Sequence, residues 1–411
     1  MKKRDTRRLL STIALCGSVL TAMSAHATNG YFAHGYGNKS KGMAGAGVAI
    51  PQETMGIATN PSAIAFLGNR LDVGGDLFIP KRSASIVGNA GLNGEYDGNG
   101  TKQFIIPEMA ASYVAMPGLT AGLAIYGNGG MNTEYKTNPL APFGGSSPYG
   151  VNLEQLFIAP TLAYNFNEQH ALGASVIFAQ QKFTAKGLER FGVMNPGTDN
   201  SNGWGFRLGW TWLVNDRLNF GLAYTTKMSM SKFDKYKGLF AEEGSFDIPS
   251  SYVLGVAYKP MSALTLAADL QQINYSEVKS IANPIANMAS NNALGSANGP
   301  GFGWKDMTVY KFGVSYDVNS QLTVRAGYST ASQPIPESET FFNILAPGVI
   351  SNHLSLGGTW HIDKESELST YYAHAFEKTV NGNGSLAMMG GGEANIKMYQ
   401  NMVGVSYGLR F

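Results

Sequence analysis

Cysteine is almost missing from this chain: among 411 residues there is one, Cys16, inside an apolar run near the start. A fold held together by disulfides is therefore excluded. Charge is also scarce, at 14% of residues, where a soluble domain usually carries about 25%. Beyond the opening run, no stretch approaches the ~18 uninterrupted apolar residues of a transmembrane helix. His34, His170, His353, His361 and His374 are dispersed, so with no second cysteine there is no metal-ligand spacing, and no cofactor is expected.

The opening run has its own explanation. Residues 1–8 are basic, 9–23 are apolar but short for a membrane span, and Ala25-His26-Ala27 has the small-x-small form of a cleavage site. Residues 1–27 thus read as a secretory signal peptide, with Thr28 the first mature residue. A lipoprotein signal is rejected, because Leu15 precedes Cys16 where a small residue is needed. Removing the leader's five Lys or Arg and one Asp from totals of 30 and 28 leaves 25 basic and 27 acidic residues, a net charge of −2. That balance gives no case for a nucleic-acid partner. An exported chain with 51 Gly, 20 Tyr and 21 Phe but little charge suits an outer-membrane barrel better than a periplasmic globule.

The pattern along the chain agrees. In 310–316, Tyr310, Phe312, Val314 and Tyr316 alternate with Lys311, Gly313 and Ser315. The same period of two runs through 119–126, 218–225, 264–271, 322–329, 354–361 and the last residues, Val403, Val405, Tyr407, Leu409 and Phe411. One face is oily; the other is Gly, Ser and Thr with a sparse charge, as a crowded lumen requires. Short polar turns at 165–170, 214–217, 259–263, 317–321 and 362–367 alternate with long irregular stretches near 127–152, 184–202, 231–246, 276–303, 332–349 and 379–395. Short turns at one end and long loops at the other are expected of an outer-membrane barrel, here of about 14 antiparallel strands spanning 70–411, and a β-sandwich does not predict that asymmetry. Residues 28–69 do not alternate, yet Met43, Val48, Ile50, Ile57, Ile64, Phe66 and Leu67 argue against a disordered tail. They read as a compact plug within the barrel.

Several segments carry a family resemblance. The stretch TNPSAIAFLGN (59–69) resembles the Asn-Pro-Ala hatch motif of the FadL-type outer-membrane transporters of fatty acids and hydrophobic compounds. KGLERFG (186–192), WKDMTVYKFGVSYDV (304–318), LTVRAGYSTASQPIP (322–336) and LSLGGTW (354–360) resemble later segments of the same family, in order. The resemblance implies a barrel of 14 strands with an N-terminal hatch, a groove among the extracellular loops and a deeper apolar pocket. It also implies sideways release of ligand through a gap beside a kinked third strand, by order 119–126 with Gly127, Gly129 and Gly130 after it. Those glycines suit broken pairing, and equally a loop start. Asn60 and Pro61 match the hatch motif and are the gating candidates, with Ser62 in place of Ala; a tight Asn-Pro turn is the bland alternative. The terminal Phe411 resembles the signal read by the barrel-assembly machinery, an expected partner along with outer-membrane lipid and a hydrophobic ligand. A monomer is expected.

A carboxylate headgroup drawn into an apolar pocket needs a cation. Arg190 and Lys305 lie in the matching motifs near the loop end, but each has an acidic neighbour, Glu189 or Asp306, and could simply staple a loop. Apolar loop residues available as pocket wall are Phe191, Met194, Phe240, Phe341, Phe342, Leu345, Met388 and Met389. Three other classes compete with this reading. A general porin would need an open, charged lumen. A barrel hydrolase would rest on His353 and Ser355, which share one strand face without an orienting partner. A receptor role for the loops is compatible with transport. The expected function is passive uptake of fatty acids or related hydrophobic compounds, with neutral hydrocarbons as the alternative cargo.

Overall fold

The computed structural model describes residues 29–290 and 292–411; the expected leader and Thr28 lie outside them. The wall is a closed 14-strand antiparallel barrel. Its strands are β1 (Arg70–Val87), β2 (Phe104–Met116), β3 (Leu119–Asn132), β4 (Gly150–Asn165), β5 (His170–Lys186), β6 (Asp199–Asn215) and β7 (Leu218–Thr225). They continue as β8 (Ser251–Met261), β9 (Leu264–Ile273), β10 (Met307–Asp317), β11 (Leu322–Ala331), β12 (Asn352–His361), β13 (Ser366–Val380) and β14 (Glu393–Arg410). Each pairs with the next, and β14 closes on β1 from Arg70↔Arg410 to Val87↔Glu393, so no long edge is left open. Two short strands, Gly94–Asp97 and Ser229–Met230, hang on β1 and β6.

The packing is inverted relative to a soluble protein. Along β10, Tyr310, Phe312, Val314 and Tyr316 are exposed, while Lys311 between them is only 5% exposed. Along β14, Val403, Val405 and Tyr407 face out and Ser406 faces in. The alternation thus places its oily face outward, where lipid can cover it. Among the described residues no helix is long and apolar enough to cross a membrane. The short connections, 117–118, 166–169, 216–217, 262–263, 318–321 and 362–365, sit at the same end as Arg70 and Arg410; the long loops form the other end.

The expected third strand needs correction at its far end. β3 does not stop at Tyr126 but runs on through the glycines to Asn132. Its register against β4 slips between Gly127 and Gly129, a bulge at Asn128. Pairing with β2 ends at Glu108↔Tyr126, whereas pairing with β4 continues to Asn132↔Asn152. Past Tyr126, then, β3 leaves β2. A long connection at 88–103 after β1, which the alternation did not separate, also belongs to the loop end.

Residues 29–69 add no strand to the wall and are mostly buried. Their contacts go all round the ring. Lys41 Nζ reaches Asp76 on β1 at 2.5 Å and Glu108 on β2 at 2.7 Å. Gly47 and Val48 N–H donate to Asp269 on β9 at 2.8 and 3.0 Å, Lys311 on β10 donates to the His34 carbonyl at 3.0 Å, and Lys39 pairs with Glu367 on β13. The wall makes room with glycine: a Cβ on Gly327 of β11 would lie 2.1 Å from the Met43 carbonyl carbon, and one on Gly209 of β6 would lie 2.1 Å from the Asn60 side-chain oxygen.

Candidate functional site

At the loop end, Arg190, Phe191, Ile285, Leu294, Phe341, Met388 and Met389 surround a cavity of about 630 Å³. Short helices, Glu189–Phe191, Ile285–Ser290 and Ala387–Met389, present all of these side chains except Leu294 and Phe341. The wall is mainly apolar, and its thioethers and rings can adjust to a ligand's shape. Of the residues expected to form it, Phe191, Phe341, Met388 and Met389 line the cavity. Phe342 stands behind it, packed edge-on against Phe191 at 5.6 Å and near Phe302 at 5.9 Å. Three do not contribute: Met194 points to solvent at 74% exposure, while Phe240 and Leu345 are buried in the aromatic core below. Phe240 packs there against Phe183, Phe233 and Phe246.

Arg190 is exposed and lines the cavity without an ion pair or hydrogen bond among the described residues. The neighbouring acid does not hold it. Glu189 instead accepts hydrogen bonds from the Ser146 N–H at 2.9 Å, from the Ser146 hydroxyl and from Asn195 Nδ2 at 2.5 Å. Slight burial would raise its pKa, but those bonds outweigh it and pull the carboxyl down to about 2. The carboxylate that lines the cavity, Glu339, accepts from the Ile285 N–H at 2.9 Å, and burial raises its pKa against the pull of its hydrogen bonds and of Lys305. Lys305 itself does not line the cavity; its N–H donates to the Pro334 carbonyl at 2.8 Å, and Asp306 is engaged by the Ser276 N–H at 2.8 Å. The structure therefore separates the two cations.

Deeper, Asn60, Pro61 and Ser62 lie against β6. Asn60 caps the short helix Pro61–Phe66, with proline at the first position where no N–H is needed. Its Nδ2 donates to the Val48 carbonyl at 2.9 Å and to Thr211 Oγ1 at 3.0 Å; its Oδ1 accepts from Ser62 Oγ at 2.6 Å. Ser62 Oγ and Thr211 Oγ1 are 2.7 Å apart, which closes a three-residue ring of hydrogen bonds between the buried N-terminal segment and the wall. The hydroxyl of Ser62 thus gains two partners. The dipeptide is more than a turn.

Gly129 and Gly130 meet the N-terminal residues. Ala33 N–H donates to the Asn128 carbonyl at 3.0 Å and Gly130 N–H to the Tyr31 carbonyl at 2.9 Å, so 31–33 pair with the edge of β3 that β2 has left. Tyr31 is wholly buried, with Phe246, Tyr275 and Trp304 ring centroids 5.3 to 6.1 Å away. His353 and Ser355 both face inward, 1% and 0% exposed. His353 Nδ1 lies 3.3 Å from Ser329 Oγ, and Ser355 Oγ has no partner, so the pair forms no nucleophile–base contact. Phe411 faces outward, 56% exposed, and its N–H donates to the Asn69 carbonyl at 3.2 Å.

Sequence comparison fits this architecture. The pattern of the family described as outer membrane protein transport protein (OMPP1/FadL/TodX) matches residues 18–411. The chain belongs to that family. A Neisseria meningitidis serogroup B protein is 22% identical over 469 aligned positions, covering 98% of this chain and 99% of that one. Two solved structures share the fold at 18% identity. The Pseudomonas putida toluene transporter TodX superposes with a TM-score of 0.69, covering 92% of this chain and 99% of its own. A Pseudomonas aeruginosa FadL homologue gives 0.71 over 93% and 100%. As a member of an outer-membrane transport family with a barrel fold, the chain is an outer-membrane protein.

Sequence reasoning missed two parts of the site. One is the luminal ion network, whose basic half lies in GNKSKG (37–42), a stretch that resembles a phosphate loop only faintly. Here Lys39 and Lys41 sit on the helix Asn38–Lys41 and meet wall carboxylates. The signal was available as single charges on otherwise small inward faces. The other is the pairing of 31–33 with β3, which involves backbone atoms and leaves no side-chain pattern.

Proposed function

We propose that this protein is a passive channel for hydrophobic small molecules, captured from outside in the apolar cavity among the loops. The observation that carries the reading is that cavity: a mostly apolar wall, one unpaired cation, and a barrel plugged beneath it. Burying ligand surface there is worth roughly 25 cal/mol per Å², and a water-filled pore offers an apolar solute nothing comparable. In this reading residues 28–69 form the hatch, and its ring at Asn60, Ser62 and Thr211 holds it shut. Release is sideways, past the β2–β3 separation above Tyr126. The protein acts as a monomer, and Phe411 serves barrel assembly; a catalytic role has no support in the spacing of His353 and Ser355.

Arg190 favours an amphipathic carboxylate, such as a long-chain fatty acid, as cargo. A second reading, a neutral aromatic hydrocarbon, is favoured by Phe191 and Phe341 in the wall and by solved relatives described as toluene transporters. The test is equilibrium binding of a long-chain fatty acid and of toluene to purified protein, with Arg190→Ala and Lys305→Ala. Fatty-acid affinity is expected to fall about tenfold in R190A, the order of one charge-assisted contact, and to change little in K305A. Toluene binding that matches or exceeds that of the fatty acid, with R190A silent, selects the neutral cargo. Binding of neither would overturn the channel reading.

A further inference from the structure

We propose a second ligand site at the opposite, short-turn end of the barrel, for an amphipathic carboxylate, with Arg325 as its anion-binding group. Arg325 projects inward from β11 and is 8% exposed. Its Nη1 donates to Thr359 Oγ1 at 2.6 Å, its Nε has no acceptor, and among the described residues no carboxylate comes within ion-pairing distance. Of the other buried cations, Arg82 and Lys311 donate only to backbone carbonyls, and neither lines this cavity. Lys39, Lys41 and Arg70 each meet an acid, and Arg207 donates to Thr225, Ile57 and Tyr126. A largely buried guanidinium with one neutral protein partner leaves donors for an anion entering from the adjoining space.

The space for that anion exists. Arg325 lines a cavity of about 900 Å³, within the range of small-molecule sites. The turn residues Ser262, Ala263, Asn319 and Ser320 border it, which locates it at the periplasmic mouth of an outer-membrane barrel. Lys39 of the N-terminal segment and Lys259 and Arg410 of the wall add further positive charge to the lining.

The lining favours a carboxylate with an apolar tail. Asp317 and Glu367 also line the cavity, but Asp317 is taken by the Thr323 hydroxyl at 2.6 Å and Glu367 by Lys39 and Arg70. Neither forms an ion pair with Arg325, so the guanidinium is left for an incoming carboxylate. Pro51, Phe66 and Leu67 of the plug give the same cavity an apolar flank. This site is separate from the loop cavity and does not depend on the uptake reading.

The test is titration of carboxyl-labelled ¹³C-octanoate into the full detergent-solubilised protein, followed by NMR, with R190A as the loop-site control. Arg325→Gln is expected to weaken one binding step at least tenfold, Arg325→Lys to retain most of it, and R190A to leave it unchanged. Leu67→Glu, at the apolar flank, should weaken octanoate but not acetate, and keeps the test available if R325Q fails to fold. Wild-type binding in both R325Q and L67E overturns the site. Inorganic phosphate that competes as strongly as octanoate overturns the carboxylate assignment. Failure of the loop-cavity reading would appear separately, as fatty-acid binding indifferent to R190A.

Discussion

Asn60 performs several tasks with one side chain: it caps a short helix, ties that helix back to Val48, and joins it to Thr211 on the wall. Each bond is buried, so deleting the amide leaves acceptors and donors that water cannot easily reach. Asn60→Ala is expected to destabilise the plug's seating by about 1–3 kcal/mol. Ser62→Ala, which restores the residue usual in the resembling motif, removes only the hydroxyl while Asn60 still reaches Thr211, for about 1 kcal/mol. Both costs belong to local opening of the plug and not to the closed wall. Hydrogen exchange checks this: amides in 54–66 should exchange faster, most in N60A, while those of β9–β11 stay protected. Equal acceleration in plug and strands, or a larger effect in S62A, would remove the ring from its proposed role.

The element that most constrains plug placement is the small inner face of the strands. On β11, Gly327 leaves space for the backbone of Met43 and Ala44, atoms that cannot swing aside as a flexible side chain would. Gly327→Ala is predicted to dislodge the plug while the barrel still closes. Gly358 on β12 is the control: its nearest prospective neighbour is the Thr323 carbonyl 3.7 Å away, so Gly358→Ala should be silent. Single-channel conductance in planar bilayers distinguishes them, with open events expected only in G327A; a quiet G327A channel would mean that the plug accommodates the methyl. Strands of this kind were legible beforehand because side-chain direction alternates strictly, so Tyr310, Phe312 and Val314 announce a lipid face in any register. The far half of β3 was not legible. There glycines break the alternation, and the strand persists through backbone bonds to β4 and to 31–33 instead of through an apolar pattern.

For the whole molecule, a minority of the charges is buried inside the barrel, where a soluble protein would put its oil. The buried N-terminal segment contributes Lys39 and Lys41, and the wall contributes Asp76, Glu108 and Glu367, so the two are bound by desolvated ion pairs as well as by packing. Composition foretold scarcity of charge but not its location, since pairs such as Lys41 with Asp76 and Glu108 join residues far apart in sequence. The loop cavity was partly legible for a similar reason. Phe191 and Met389 announce themselves as apolar loop residues, but nothing local tells Met388, which lines the cavity, from Met194, which faces water. A buried pair adds little net stability when whole and costs about 3–5 kcal/mol when one partner is removed. Lys41→Met, similar in length but uncharged, leaves Asp76 and Glu108 facing each other across the lumen without their shared cation. The barrel, closed by β1 and β14 through eighteen register pairs, is predicted to survive, with unchanged mobility shift on heating in gels. The plug should lose its seat, so that cells carrying K41M admit bulky polar antibiotics that wild type excludes. Adding Asp76→Asn and Glu108→Gln to K41M should restore exclusion in part, because the uncompensated charges and not the missing contacts drive the plug out. No recovery in the triple variant would mean that lysine's specific geometry, and not charge balance, keeps the channel closed.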